Sequence, residues 1–239
     1  IREQKLMPGA DEVGEQYWRG YTYVSNDEQT DAVLLDAKGA DREFTIADKN
    51  APGGSRKQIW HFPSRAECTL CHTMSAKYVL GLNTLQMNRD HDYDGVIANQ
   101  LTTLESIGAF DKKLPDAPEN LPKLVDYGDA HADPNLRARS YLHANCAHCH
   151  RKWGGGNAEF QLLAPLSLTD TGTLDIRPAH GLFELKEPKL IAPGDPDRSI
   201  IVHRMRKTGL GRMPHIASNV IDEPAVQLIS DWIRNLPTS

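Results

Sequence analysis

Two short segments of the chain combine cysteine and histidine at the same spacing. Residues 68–72 read C-T-L-C-H and residues 146–150 read C-A-H-C-H, and the 239-residue sequence has no other cysteine. Two thiols at this spacing can add to the two vinyl groups of one haem, and the histidine that follows can bind its iron. The pattern therefore predicts two covalently bound haem c groups. The residues assigned to them are Cys68, Cys71, His72, Cys146, Cys149 and His150.

Other kinds of site also use paired cysteines. One zinc ion could bind all four thiols, but Cys71 and Cys146 are 75 positions apart (146 − 71), whereas zinc ribbons place roughly 15 to 20 residues between their pairs. Two disulfides or two redox dithiols would explain the cysteines but not the histidine after each pair. Because only 10 of the 239 residues are histidine, two such placements by chance would be rare. This favours haem attachment.

Composition and charge exclude several classes of partner. The chain has 27 Lys and Arg against 32 Asp and Glu, a net charge of −5, with the basic residues scattered. This predicts no nucleic-acid partner. No run of about 18 apolar residues occurs, so we expect no transmembrane segment in this chain.

Haem attachment to such motifs normally takes place outside the cytoplasm, which predicts a periplasmic or otherwise extracytoplasmic protein. The start at Ile1, without an apolar leader, predicts that a signal peptide or upstream segment has been removed.

Two predicted helices flank the second motif. Residues 135–145 follow Asp133-Pro134 and end on the motif, and residues 222–236 begin with Asp222, a good N-cap. Apolar residues at 225, 229, 232 and 236 recur at the spacing of one helix face. Between the two helices lies the sequence Gly-Arg-Met-Pro, at 211–214.

This order of a helix, C-x-x-C-H, a Met-Pro loop and a closing amphipathic helix resembles a class I cytochrome c domain. The resemblance implies that the first and last helices cross. It also implies that His150 is the proximal iron ligand and Met213 the distal one. Met205, in a predicted short helix over 199–206, is the competing methionine.

Further segments resemble a more specific family of cytochromes. Residues 190–199 (LIAPGDPDRS), followed by His-Arg-Met at 203–205, and residues 62–67 (FPSRAE) before the first motif are similar to a tandem dihaem cytochrome family of planctomycetes and other bacteria. These modules are sometimes joined to quinoprotein-type sugar dehydrogenase propellers. The resemblance therefore implies that this chain can be part of a larger fused protein. The resemblance runs from about residue 17 to the C-terminus. Relatives usually carry proline where His215 stands and often leucine where Met87 stands.

The first half is predicted to contain strands as well as helix. Short β-forming runs punctuated by turn residues occur at 21–24, 32–35, 43–46 and 58–62. They predict a small antiparallel β-meander laid against the first haem. Apolar residues at helical spacing predict an amphipathic helix over 93–107.

These elements predict a mainly α fold with two cytochrome c-like haem domains. A proline-stiffened connector over 108–134 places the boundary near residue 130. Residues 1–130 would form the N-terminal haem domain with the β-meander and the connector. Residues 131–239 would form the class I cytochrome c-like domain.

The sixth ligand of the first iron is not fixed by the sequence. Met87 occupies a loop position analogous to that of Met213, and His91 and His61 are alternatives. Met74 is two residues past His72, too close to reach across the ring. An iron with an open or water-bound sixth position is the remaining alternative.

The predicted function is electron transfer. Two haems on one chain imply that single electrons pass from a dehydrogenase donor toward a cytochrome or oxidase acceptor. The sequence shows no legible hydrolytic triad, carboxylate pair or nucleotide-binding motif, which favours an electron carrier over an independent enzyme. The alternative is a dihaem peroxidase-like enzyme, or a gas or redox sensor, in which the first haem is open.

Overall fold

The computed structural model describes residues 2–6, 16–156 and 159–238. It is 28% helix and 17% strand. The predicted mainly α fold is therefore wrong, because the protein is a mixture of helices and small antiparallel sheets. The helices are short, and the long stretch that follows the second motif forms irregular loops instead of further helix. Residues 1 and 7–15 of the predicted first domain lie outside the described part.

The described strands form four separate two-stranded antiparallel sheets, each a pair of strands adjacent in sequence. The strands are β1 (Arg2–Leu6), β2 (Gln16–Gly20), β3 (Tyr23–Ser25), β4 (Ala32–Leu34), β5 (Ala40–Ala47), β6 (Ser55–Phe62), β7 (Asp90–Tyr93) and β8 (Val96–Asn99).

The predicted β-meander is wrong because β4 and β5 do not pair. A turn between them redirects the chain. Asp36 accepts from the backbone N–H of Lys38 and of Gly39, and Gly39 has a φ of 77° that a residue with a side chain rarely adopts. The N–H of Arg65 donates to the carbonyl of Ala37 at 2.9 Å, which ties this turn to the start of the first helix.

The described residues also form six α-helices: α1 (Arg65–Cys71), α2 (Thr84–Met87), α3 (Gln100–Ser106), α4 (Pro134–Cys146), α5 (Ile200–Met205) and α6 (Glu223–Arg234). The helices predicted around the second motif are confirmed, with Asp133 and Asp222 as their N-caps. None of the described helices is long and apolar enough to cross a membrane.

The helix predicted over 93–107 is wrong in its first half, where β7 and β8 form a hairpin. Its turn is fixed by Gly95, whose φ is 92° and whose N–H donates to the Asp92 carboxylate at 2.6 Å. Helix α3 starts only after Asn99, which accepts from two backbone N–H groups of its first turn. Consequently Val96 and Ile97 are 64% exposed instead of forming a buried helix face.

The apolar core lies in the second half of the chain, where α4 packs against α6. Its fully buried members include Ala138 of α4 and Ile229 and Ile233 of α6. The Trp232 indole N–H reaches across to the Asn135 side chain at 3.1 Å. Among the described residues of the first half, only Ala76 and Leu101 are buried apolar side chains.

Hydrogen bonds join the connector over 108–134 to both halves of the chain. Asn88, 2% exposed, donates through its amide to three carbonyl groups of the connector, those of Pro118, Leu121 and Pro122. The N–H of Leu124 donates to the carbonyl of Leu85 in α2, and the N–H of Val125 donates to the hydroxyl of Ser140 on α4.

Candidate functional site

The first motif is placed by helix α1. Ser64 and Glu67 form a capping box at its start, each side chain accepting from the backbone N–H of the other residue. Both cysteines of the motif lie on this helix, and His72 is its C-cap. The Nδ1 atom of His72 lies 2.5 Å from the carbonyl oxygen of Tyr78. A neutral imidazole that donates from Nδ1 carries its lone pair on Nε2, the tautomer that suits a metal ligand.

A close backbone approach accompanies Cys68. A Cβ atom at Gly20, the last residue of β2, would lie 2.5 Å from the Cys68 sulfur. Only glycine fits there, so β2 and the first thiol are fixed against each other. Sequence reasoning missed this contact, because nothing in a Gly-Tyr dipeptide indicates which distant residue it meets.

The second motif begins at the end of α4, against the core. Burial raises the pKa of the Cys146 thiol to about 12. His150 stacks on Phe160 with ring centroids 4.5 Å apart, and its Nδ1 atom is buried without a hydrogen-bond partner. Burial, with smaller contributions from Arg204, His148 and His215, lowers the pKa of His150 to about 4. His150 is therefore a neutral imidazole near pH 7, the form that binds metals.

The structure brings the two motifs together. The ligand atoms of Cys71, His148 and Cys149 all lie within 4.8 Å of one another. The Cys149 sulfur is 3.3 Å from the carbonyl oxygen of Leu70 in the first motif. Donation from Cys149 and His148 lowers the pKa of Cys71, and the neighbouring Cys71 thiolate raises the pKa of Cys149. Cys68 and Cys146 are not in this cluster, so the four-cysteine zinc site considered from the sequence is not assembled.

The loop that carries Met213 is held by Arg204. The N–H of Met213 donates to the carbonyl of Arg204 at 3.0 Å, and the guanidinium of Arg204 donates to the carbonyl of Gly211 at 2.9 Å. Arg204, which binds this loop, and His215, which follows Met213 in it, both lower the pKa of His150. Met213 is half-buried, as is Met205 at the end of α5.

Histidine 203 is a feature that sequence reasoning missed. Its Nε2 atom is buried and has no hydrogen-bond partner, and its ring lies 4.9 Å from that of Phe183. The cationic groups of Arg204 and Lys207 also lie over Phe183, at 5.5 and 5.8 Å. In the sequence, His203 and Arg204 belong to the segment that resembles the dihaem cytochrome family. No pattern in the sequence connects His203 to Phe183.

The candidates for the first distal position lie in different surroundings. Met87 is half-buried at the end of α2, next to the buried Asn88, whereas Met74 is 74% exposed. His91 is exposed on β7, edge-on to Tyr93 at 4.7 Å. Both ring nitrogens of His61 are bound by carboxylates, Asp41 at 2.6 Å and Glu67 at 3.0 Å. His61 therefore cannot bind an iron without losing an ion pair.

The residues fit a large apolar prosthetic group. The described part of the first half has only two buried apolar side chains, Ala76 and Leu101, which is a small apolar core for a segment of that length. A haem beside each motif would supply apolar surface. In the second motif, the neutral imidazole of His150 could bind its iron. A separate cleft of about 770 Å³ between the connector, β7 and α4 is lined largely by polar residues and includes neither motif.

Comparisons with known proteins do not extend these observations. No family model, no curated protein and no solved structure matches this chain.

Proposed function

We propose that this protein is a dihaem c-type cytochrome that passes single electrons between a periplasmic dehydrogenase and a downstream acceptor. The observation that carries the proposal is the side-by-side placement of two C-x-x-C-H segments. Each segment pairs two thiols with an imidazole held for metal binding, by the Tyr78 carbonyl in one case and by burial in the other.

Each residue has a distinct task in this proposal. Cys68 and Cys71 attach the first haem and Cys146 and Cys149 the second, while His72 and His150 supply the proximal nitrogens. Met213 supplies the distal sulfur to the second iron, and Met87 is proposed for the first. When bound, each haem supplies an iron that changes between the ferrous and ferric states. A methionine sulfur opposite histidine favours the reduced state and gives a high potential.

The test is maturation of the full chain in a periplasm that attaches c-type haem. Intact mass is expected to show two haems on the wild type, and one on the Cys68→Ala/Cys71→Ala and Cys146→Ala/Cys149→Ala double variants. Ser75→Ala, close to the first motif but outside it, is the matched control and is expected to retain both. A wild-type chain that matures without haem would contradict the proposal.

Carbon monoxide distinguishes a carrier from an enzyme or sensor. If both irons are held by two protein ligands, the reduced spectrum stays unchanged under carbon monoxide. A shift in one haem would indicate an open site, and would favour the peroxidase-like or sensor alternative at the first haem.

A second candidate function is a thiolate metal site, favoured by the Cys71, His148 and Cys149 cluster. Three such ligands suit Zn²⁺ with water in its fourth position. The two functions exclude each other, because a thioether sulfur no longer offers a thiolate. Under this alternative, protein matured with haem-attachment machinery contains stoichiometric zinc, and His148→Ala loses it. Under the haem proposal, His148→Ala retains two haems and the protein contains no zinc.

A further inference from the structure

The second thiols of the two motifs occupy one small region of the protein. Cys71 and Cys149 belong to different halves, yet their sulfurs share a cluster of 4.8 Å with His148. The Cys149 sulfur also contacts the carbonyl oxygen of Leu70, a residue 79 positions earlier. The first thiols are directed elsewhere, Cys68 toward Gly20 and Cys146 into the second core.

Glycine 155 allows this approach. A Cβ atom at this position would overlap the carbonyl oxygen of Leu70 and lie 3.4 Å from the Thr73 methyl group. Because the obstructing atom belongs to the backbone, it cannot turn aside as a flexible side chain could. The φ of Gly155 is not in the left-handed region, so the requirement for glycine here is one of space between the motifs.

Arginine 151 ties the two motifs together beside this contact. Its guanidinium donates to the carbonyl of Ala147 at 2.6 Å within the second motif. It also donates to the carbonyl of Ser75, just after the first motif, at 3.1 Å. A half-buried guanidinium bound to both segments holds their separation fixed.

We infer that Cys71 and Cys149 bind facing edges of the two haems, and that the Leu70–Gly155 contact sets the coupling between them. The inference rests on the proposed function. A thioether joins its sulfur to the macrocycle through a single carbon atom, so neighbouring sulfurs bring ring edges into proximity. Two irons held this way also influence each other by charge, because each oxidation adds a positive charge in a region of reduced dielectric.

The test is circular dichroism in the Soret region on the full, matured chain. Two coupled chromophores give a pair of bands of opposite sign that separate chromophores do not. We expect such a pair in the wild type, and we expect it to be absent from the summed spectra of the two single-haem variants. A wild-type spectrum equal to that sum would overturn the inference.

A redox titration of the wild type provides a second measurement that needs no variant. If the haems are coupled, the circular dichroism spectrum of the half-reduced protein differs from the average of the fully oxidised and fully reduced spectra. The reason is that the paired bands require two like chromophores, and a ferrous haem beside a ferric one is not such a pair. A half-reduced spectrum equal to that average would also overturn the inference.

Gly155→Ala tests the contact itself, with Gly81→Ala as the matched control because nothing lies within 4 Å of a Cβ at Gly81. Both variants are expected to keep two haems by mass. Gly155→Ala is expected to lose amplitude in the paired bands and Gly81→Ala to retain it. Equal amplitudes in the two variants would contradict the role of Gly155. Two attached haems without coupling defeat this inference alone, whereas a chain without haem defeats the proposed function as well.

Discussion

His61 of β6 and Glu67 of α1 form an ion pair, with Nε2 3.0 Å from the carboxylate. The same carboxylate accepts from the backbone N–H of Ser64 at 2.8 Å, and the other ring nitrogen, Nδ1, lies 2.6 Å from the Asp41 carboxylate. The pair therefore links the β5–β6 hairpin to the N-terminus of the helix that carries the first motif. This relationship gives His61 a role in the scaffold around Cys68.

The ion pair predicts a pH-dependent stability. Hydrogen bonds to the carboxylates of Glu67 and then Asp41 raise the pKa of His61, so its contribution is complete below the unfolded value near 6.5 and is lost as pH rises through the folded value. His61 lowers the pKa of Glu67 to about 2, so that contribution is lost as pH falls from about 4.5 to 2. Urea unfolding of His61→Ala is expected to show a loss of about 1 kcal/mol or less near pH 6, since the pair is partly exposed. The loss should shrink toward pH 9.

The matched control for this change is His131→Ala, whose side chain is exposed on a turn outside both C-x-x-C-H motifs. We expect its stability to follow that of the wild type at each pH. If His61→Ala and His131→Ala gave the same pH profile, the ion pair would not contribute. Under the proposed function His61→Ala should also leave the reduced visible spectrum unchanged, because carboxylates occupy both ring nitrogens of His61.

Met213 is predicted to be the distal ligand of the second iron. Replacing it by alanine opens the sixth position, so the reduced protein should gain a carbon monoxide shift that the wild type lacks. Met213→His should keep six ligands but lower the reduction potential of that haem, because imidazole favours the ferric state more than a thioether does. Met205→Ala is the control and should change neither property. A Met213→Ala protein with an unchanged spectrum would assign the ligand elsewhere.

The contact between α4 and α6 is predicted to dominate the stability of the second half. Ile229 is fully buried in this core, and Ile229→Ala should reduce the free energy of unfolding by about 2 to 5 kcal/mol. Leu136→Ala removes a leucine that is 52% exposed on α4 and should change stability by about 0.5 kcal/mol or less. Denaturant unfolding of both variants checks this. Similar losses in the two would show that the core is not where the structure places it.

Asn88 is predicted to hold the connector against α2. Besides its three carbonyl partners, its side-chain oxygen accepts from the Asn99 amide at 3.0 Å. Asn88→Asp removes the donor and directs a carboxylate at three carbonyl oxygens, so we expect a loss of about 1 to 3 kcal/mol, measured by urea unfolding. Asn50→Asp, on an exposed turn, is the control and should be nearly neutral. Equal stability of the two variants would mean that the Asn88 network contributes nothing.

Local patterns in the sequence determined the elements whose stabilising contacts are short-range. The helices α4 and α6 were predicted because Asp133 and Asp222 cap them within the next three residues and because the apolar residues of α6 fall on one face. The two C-x-x-C-H motifs were equally legible, since their chemistry depends on spacing along the chain alone.

The sequence was misleading where long-range pairing or a turn outweighed periodicity. The apolar residues of 93–107 suited a helix, but the Asp92–Gly95 turn closed a hairpin first. The predicted meander failed because the turn at Asp36–Gly39 is bound to α1 instead of continuing the sheet. The helix error contributed to the expectation of a mainly α protein.

Only the tertiary structure decided which residues of the two motifs meet. Spacing along the chain gave Cys71 and Cys149 no relation, since 78 positions (149 − 71) separate them. Their approach depends on Gly155 leaving room for the Leu70 carbonyl and on Arg151 binding both segments. The ion pairs that occupy His61 were likewise hidden, because Asp41 lies 20 positions away and reaches it only across the β5–β6 hairpin. Contacts of this kind arise from the path of the backbone through space, which local sequence patterns do not encode.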